Sequence, residues 1–309
     1  MEIRKAVITG PTGCIGNAIC RCLIEKGVRV YAVCRPGSAQ IKELPASDLL
    51  SVIPLELSDL SSLPAAVGDS IDAFFHLGWA GTYGNDRKNE AMQERNVSFT
   101  KEAVSAAEKL HAKVFVFAGS QSEFGPVDGI MRPDTPCRPD NPYGKAKLLA
   151  ENAAKDLCAE KGIRFIACRP VSVFGLCDKP YTMVMSTLSR MLRGERLSFT
   201  KGEQMWNYIY GDDAGRAFVL SAEKGKDKSV YLVASDSSER LKDYIIKMRD
   251  IACPGAELHF GEIPYFEHQV MRLLPDITNL TEDTGFLPEI SFEEGIRRTL
   301  SWLKNKQNL

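Results

Sequence analysis

The 309-residue sequence has no CxxC pair and no interleaved Cys/His framework among its nine cysteines, so neither a zinc module nor a disulfide scaffold is indicated, and no metal site is expected. Scattered cysteines of this kind read as reduced thiols of a cytoplasmic protein, used mainly as small apolar residues. No apolar run approaches the ~18 residues of a membrane span. The opening MEIRKAVITG holds a short apolar run that leads straight into glycines, which reads as a first strand and not as a signal peptide. Net charge is −1, and this near-balance removes the electrostatic footprint of a nucleic-acid or membrane-surface binder. Repeats, low-complexity tracts and an evident linker are missing as well. The remaining composition, 44% apolar and 26% charged, is that of a globular chain long enough for one large domain or a core domain with a smaller partner.

Short apolar runs at 6–9, 28–33, 51–57, 72–77, 113–118 and 164–168 alternate with amphipathic segments such as GNAICRCLIEKG. That rhythm predicts βαβ units and an α/β fold: a Rossmann-type, doubly wound parallel sheet with helices on both faces. Beyond Gly175 it weakens. A basic helical stretch, TMVMSTLSRMLRGERL, precedes two further expected strands, WNYIYGDD (206–213) and SVYLVAS (229–235). Two helices follow, ERLKDYIIKMRDIA and SFEEGIRRTLSWLKNK, the second opening on a Ser291–Glu294 capping box. The expected division is a dinucleotide-binding domain of 1–174 with 206–236, and a smaller, discontinuous C-terminal substrate domain of 175–205 with 237–309.

Three motifs carry chemistry. In VITGPTGCIG, Gly10, Gly13 and Gly16 stand between a strand and a helix, where glycine lets the backbone turn sharply and approach a pyrophosphate on the helix N-terminus. In NPYGKAKLLAEN, Pro142 and Gly162 bracket a helix over 142–161, and Tyr143 and Lys147, four apart, share one face. A lysine ammonium near a phenol lowers a pKa that is ~10 unperturbed, making Tyr143 a proton donor or acceptor near neutrality. Ser120 follows the run KVFVFA, at the carboxyl end of a parallel strand, where doubly wound sheets bind ligands.

Together with HLGWAG (76–81), Asn96 in RNVSFT, GSQSEFG, RPVSVFG (169–175), YIYGDD and the closing GFLPEISFEEGIRRTLSWL, these motifs resemble, nearly end to end, the extended short-chain dehydrogenase/reductase family, in its NAD-dependent epimerase/dehydratase branch acting on nucleotide sugars. The resemblance implies an enzyme with its active site between two domains. Ser120 would hydrogen-bond the reacting sugar oxygen, Tyr143 would exchange its proton, and Lys147 would bind the nicotinamide ribose and lower the Tyr143 pKa. The dinucleotide would be held by Gly10, Thr12, Gly13, Cys14, Ile15 and Gly16, by Glu56 and Leu57 at the adenine, by Leu77, Gly78 and Trp79, and by Pro170 and Val173 along the nicotinamide. Thr82, Gln121, Ser122, Ser172, Arg193 and Trp206 would face the substrate. Asn96 would be the family's structural or active-site asparagine, and the helices matching 88–110 and 142–161 would pair in a homodimer. Arg190, Arg193, Arg196 and Lys201 either supply charge to a diphosphate or form a solvated helix face.

Dehydratases of the family carry Asp-Glu directly after the Ser/Thr; this chain has Gln121 and Ser122, which do not titrate usefully, and Glu123 stands one position too far. No counterpart is evident of the Cys/His pair used for C3 and C5 epimerisation, although His76 and Cys177 are present. Interconversion of an alcohol and a ketone remains. GSQSEFG and the WNY tract resemble those of reductases of 4-keto-6-deoxy nucleotide sugars. The expected activity is therefore NAD(P)H-dependent reduction of a keto group on a nucleotide-activated, 4-keto-6-deoxy sugar, or alternatively 4-epimerisation with tightly bound NAD. A non-catalytic dinucleotide sensor is the third reading, and retention of Ser120, Tyr143 and Lys147 argues against it. For the cofactor, the position twenty-four residues after Gly10 is Cys34, where an NAD enzyme usually has an acid. Arg35 follows, able to meet a 2′-phosphate or stack on adenine, and Ser38 could add a hydroxyl. NADPH is thus the expected reductant, ahead of NAD.

Overall fold

The computed structural model describes residues 1–266 and 269–307. The chain runs β1 (Lys5–Thr9), α1 (Cys14–Glu25), β2 (Arg29–Cys34), β3 (Leu50–Pro54), α2 (Leu63–Val67), β4 (Ala73–His76), α3 (Glu90–Lys109), β5 (Val114–Ala118), β6 (Ile130–Met131) and α4 (Pro142–Glu160). It continues through β7 (Arg164–Pro170), β8 (Ser172–Phe174), α5 (Met183–Leu192), β9 (Leu197–Phe199), β10 (Met205–Trp206), β11 (Tyr208–Tyr210), α6 (Gly211–Lys224) and β12 (Ser229–Val233). The helices α7 (Leu241–Ala252), α8 (Thr278–Thr284) and α9 (Phe292–Gln307) complete it.

The alternating pattern predicts a parallel sheet, and seven strands form one, in the order β12-β7-β5-β4-β1-β2-β3. Both faces are buried, which is why the strands read as continuous apolar runs. Ile8, Phe75, Val116 and Ile166 point to the face covered by α1 and α6; Val7, Phe74, Phe115 and Phe165 point to the face covered by α3 and α4. The order in which the chain adds strands reverses between β1 and β4, and the crevice at the carboxyl ends of those strands is where such sheets take a ligand.

The smaller C-terminal lobe has its own cluster, in which α5, α7 and α9 contribute Leu188, Met248 and Ile296. Strand β11 joins the two cores: Ile209 packs under the main sheet while Tyr208 and Tyr210 face the small lobe. The expected strand over 206–213 is shorter than its apolar pattern. Only 208–210 pair with β8, and Gly211 opens α6. The aspartates explain the change, because Asp212 and Asp213 occupy the first helical turn, where carboxylates are favoured. Asp213 also accepts the N–H groups of Glu289 (3.0 Å) and Ile290 (2.8 Å). Similarly, the run at 51–57 leaves the sheet at Pro54, and Leu57 starts a 3-10 turn.

All nine cysteines are free, and no helix among the described residues is long and apolar enough to cross a membrane. Among those residues, too, no group of three or more His, Cys, Asp or Glu is placed to hold a metal ion. His76 is a core residue. Its Nδ1 lies 2.9 Å from Thr9 Oγ1 and its Nε2 3.2 Å from Thr100 Oγ1. Burial, then the nearby Lys147 charge, pushes its pKa down to about 3.

Between its ordinary value of 6.5 and about 3, His76 is protonated in the unfolded chain and neutral in the folded one. Its contribution to stability is therefore complete above pH 6.5 and falls by ~1.4 kcal/mol per pH unit as pH is lowered through that window. In urea titrations, His76→Gln is expected to remove this part of the acid slope, so that wild type loses ground to the variant from pH 6 to pH 4.

Candidate active site

The turn from β1 into α1 forms a cradle that side chains would fill. Gly10 has φ +69°, and a Cβ there would stand 2.9 Å from the Gly78 nitrogen. A Cβ on Gly16 would stand 2.2 Å from the Gly10 carbonyl oxygen. Gly13 caps α1 without a side-chain hydrogen bond, leaving the helix's first N–H groups facing the cradle. Thr9 Oγ1 accepts from Gly78 N (3.0 Å) and Leu77 N (3.2 Å), tying the ends of β1 and β4 together. Leu57 packs against Gly78, while Glu56 is exposed. Thr12, Cys14 and Ile15 are half-buried at the helix start, as are Pro170 and Val173 across the crevice. These residues fit a dinucleotide: a sharp glycine turn, free helix N–H groups and an apolar slot beside Leu57.

Ser120, Tyr143 and Lys147 lie at the same sheet edge. Ser120 caps the 3-10 turn Gln121–Glu123, with Oγ accepting from Ser122 N (3.2 Å). Tyr143 sits in the first turn of α4, which Asn141 caps by accepting from Gly144 N at 2.9 Å. Gly144 brings the helix onto the loop, since a Cβ there would stand 2.3 Å from the Ser122 carbonyl oxygen. Ser120 is the neighbour that pulls the Tyr143 phenol pKa down most. One turn on, Lys147 Nζ donates to the Ala118 carbonyl at 2.8 Å and lies 3.7 Å from the Trp79 ring centroid. Burial pushes its pKa down to about 7.

The expectation that Lys147 lowers the Tyr143 pKa needs correction. Burial pushes the Tyr143 phenol up, and the groups that pull it down are Ser120 and the Arg87 charge. Lys147 Nζ stands 6.0 Å from the Tyr143 ring centroid, whereas the Arg87 guanidinium carbon is at 4.1 Å.

Beneath Ser120 is a buried ionic cluster. Glu123 Oε1 accepts the Ser120 N–H at 2.6 Å, and Glu123 Oε2 stands 2.9 Å from Arg169 Nε. Arg169 donates twice to Glu151, at 3.0 and 2.7 Å, and contacts Cys137 Sγ at 3.2 Å. Burial and the Glu151 charge hold Glu123 well above the usual carboxylate range. Its carboxyl therefore faces the core, not the crevice.

The other expected residues divide. Ser122 is at the rim, its Oγ accepting from Arg87 Nη2 at 2.6 Å; Gln121 is half-buried beside it, and Thr82 is exposed. Ser172 lies in β8, opposite Tyr208. Trp206 packs between two hydrophobic clusters, with a buried Nε1 that has no partner among the described residues. Asn96 is structural, exchanging hydrogen bonds of 2.9 Å with both the N–H and the carbonyl of Ala80. Arg193 pairs with Glu195 on the surface, as does Arg190 (3.4 Å), and Arg196 pairs with Glu262. These arginines form the solvated face. The pattern had not pointed to Arg87, to Gln93, whose Oε1 accepts from Trp79 Nε1 at 2.8 Å, or to Tyr83 and Tyr181, which stack at 3.7 Å between the two lobes. Glu151 was findable, being one further turn along the Tyr143–Lys147 face.

A model of the NAD dependent epimerase/dehydratase family matches residues 6–234. The UDP-N-acetyl-alpha-D-glucosaminuronate decarboxylase of Bacillus cytotoxicus is 23% identical, with 99% of each chain covered. Among solved structures, UDP-glucose 4-epimerase of Thermotoga maritima superposes with a TM-score of 0.88 at 24% identity, covering 98% of this chain and 99% of that one. UDP-glucuronic acid 4-epimerase of Bacillus cereus does so with 0.84 at 21%, over 98% and 99%. The expectation of NADPH is overturned by these relatives, because the dinucleotide in the Bacillus cereus complexes, and in others of the same fold, is NAD. The structure supplies a reason. Cys34 is buried, Arg35 is exposed, and the Ser38 hydroxyl is directed to Gln40 Oε1 at 3.0 Å. A missing acid removes repulsion without building a phosphate pocket, and the loop offers a solvated guanidinium.

Gly16→Ala should push the Gly10 carbonyl out of the cradle. Overpacking of that kind costs ~1–3 kcal/mol, so dinucleotide affinity is expected to fall by roughly 10- to 100-fold. Titration followed by protein fluorescence, with far-UV circular dichroism as the fold control, measures it.

Proposed function

The chain belongs to the NAD dependent epimerase/dehydratase family, and from that membership we propose that it is a nucleotide-sugar 4-epimerase that keeps NAD bound through turnover. The observation that carries this reading is the direction of Glu123. With that carboxyl turned into the Arg169 cluster, and Gln121 and Ser122 at the rim, the turn after β5 presents no acid and base for removing water. Interconversion of an alcohol and a ketone is what remains.

Net ketoreduction and epimerisation share that chemistry. The GSQSEFG motif favours a ketoreductase by similarity, but the solved relatives support the epimerase, being 4-epimerases and NAD complexes. When bound, NAD supplies reversible hydride acceptance at the carbon bearing the reacting hydroxyl. Gly10, Thr12, Gly13, Cys14, Ile15 and Gly16 would hold its pyrophosphate; Arg35 and Leu57 its adenine; Leu77–Trp79, Lys147, Pro170 and Val173 its nicotinamide end.

Tyr143 is assigned the proton transfer. Burial keeps its phenol protonated at rest, and Ser120 and Arg87 stabilise the phenolate when it forms. Ser120 Oγ would steady the sugar oxygen, and Lys147, anchored on the Ala118 carbonyl, would present its remaining N–H groups to the ribose.

The purified protein, with no added dinucleotide, should convert a UDP-hexose to a mixture of C4 epimers without net change in absorbance at 340 nm, and should release NAD on denaturation. A strict need for stoichiometric NADH or NADPH, with a single reduced product, would overturn the epimerase reading. Tyr143→Phe is expected to abolish turnover while NAD stays bound. Ser120→Ala should cost ~10²–10³ in kcat; retention of a tenth of normal activity by Tyr143→Phe contradicts the assigned roles.

A further inference from the structure

Arg87 lies in no motif, yet it stands at the reacting tyrosine. It comes from the 3-10 turn Gly84–Lys88, held in place by Asn89, which caps α3 by accepting from Met92 N at 3.1 Å. Its guanidinium carbon is 4.1 Å from the Tyr143 ring centroid, and its Nη2 donates to Ser122 Oγ at 2.6 Å. The side chain is half-buried. Among the described residues, both of its partners are uncharged: a ring face and a hydroxyl. Two guanidinia deeper in the fold are matched by acids, Arg169 by Glu151 and Glu123, and Arg21 by Asp212.

A guanidinium carries five N–H donors in a planar fork. Ser122 takes one of them, and the rest of the fork suits a planar, two-oxygen anion. A sugar nucleotide has a diphosphate at its far end, but Tyr143 marks the end at which the sugar reacts. An anion met by a side chain that covers Tyr143 is attached next to the reacting carbon. On a hexose reacting at C4, that position is filled by a carboxylate at C6.

We infer that Arg87 and Ser122 form a carboxylate subsite beside Tyr143, and that the substrate is a nucleotide-linked hexuronate in preference to a neutral hexose. This rests on the reading that sugars react at Tyr143, and its test includes a binding arm that needs no turnover.

The full chain with its dinucleotide is titrated with UDP-glucuronate and UDP-glucose, and with the nucleotide-free pair glucuronate 1-phosphate and glucose 1-phosphate. The wild type should prefer the uronate in each pair that binds, by roughly 10- to 100-fold, the scale of a charge-assisted hydrogen-bonded pair. In kcat/KM the same preference should appear mainly through KM. Arg87→Gln should erase the preference, Arg87→Lys should keep part of it, and Lys88→Gln, an exposed charge on the same turn, should leave it intact. Equal losses on uronate and hexose in Arg87→Gln would mean that Arg87 serves Tyr143, the diphosphate or the loop, and would overturn the subsite. Absence of a uronate preference in the wild type, including failure of both pairs to bind, overturns it as well. Uronate-selective binding without turnover would leave the subsite standing and remove the epimerase reading.

Discussion

Arg169, at the end of β7, joins three pieces of chain that are far apart in sequence: the turn after β5 through Glu123, helix α4 through Glu151, and the 126–140 segment through Cys137. All three side chains are buried. Charges in that position must be matched by one another, since breaking a buried pair by removing one partner costs ~3–5 kcal/mol. The Arg169 Nε hydrogen is directed to Glu151, so Glu123 is held by charge and by the Ser120 N–H. Burial and the Glu151 charge together raise the Glu123 pKa, and the Arg169 charge opposes them. Ser120 and Tyr143 hang from this cluster, one by its backbone N–H, the other through the helix that carries Glu151.

Above the cluster, aromatic faces replace counter-ions. Lys147 is roofed by Trp79, whose indole N–H is fixed by Gln93, and Tyr143 meets Trp79 edge-on at 6.2 Å. A lysine so enclosed loses hydration without gaining a carboxylate contact, which is why its pKa drops toward neutrality. The crevice is thus polar at isolated points in an apolar frame, the usual build of a site that fixes a ligand's orientation with a few groups.

The parallel sheet, the glycine cradle and the Tyr–Lys pair were legible in the sequence because each depends on local patterns: apolar runs alternating with helical segments, glycine spacing, and a four-residue helical interval. What was not legible depends on contacts across the fold. Arg87 meets Ser122 across 35 positions, from a turn that reads as an ordinary polar loop. The direction of Glu123 is decided by Arg169, 46 residues on, and His76, a candidate for chemistry by residue type, is fixed in the core by Thr9 and Thr100. GDD reads as the end of a strand until the partners of Asp213 near 290 are known. The cofactor expectation failed differently, because it treated a missing carboxylate as evidence for a phosphate.

The neck formed where Gly125 lies against Arg138 has a consequence for how this scaffold can change. Arg138 N donates to the Phe124 carbonyl at 3.0 Å, and a Cβ on Gly125 would stand 2.0 Å from the Arg138 carbonyl oxygen. Residues 126–137 therefore leave and return at one point, outside the Ser120–Gly144 junction, and touch down on the far lobe where Ile130–Met131 pairs with Leu274–Pro275. Chain added within that span lengthens a loop that is already closed, at ~0.6 kcal/mol per doubling. Lineages, and protein engineers, can graft new surface here while the serine and tyrosine keep their spacing.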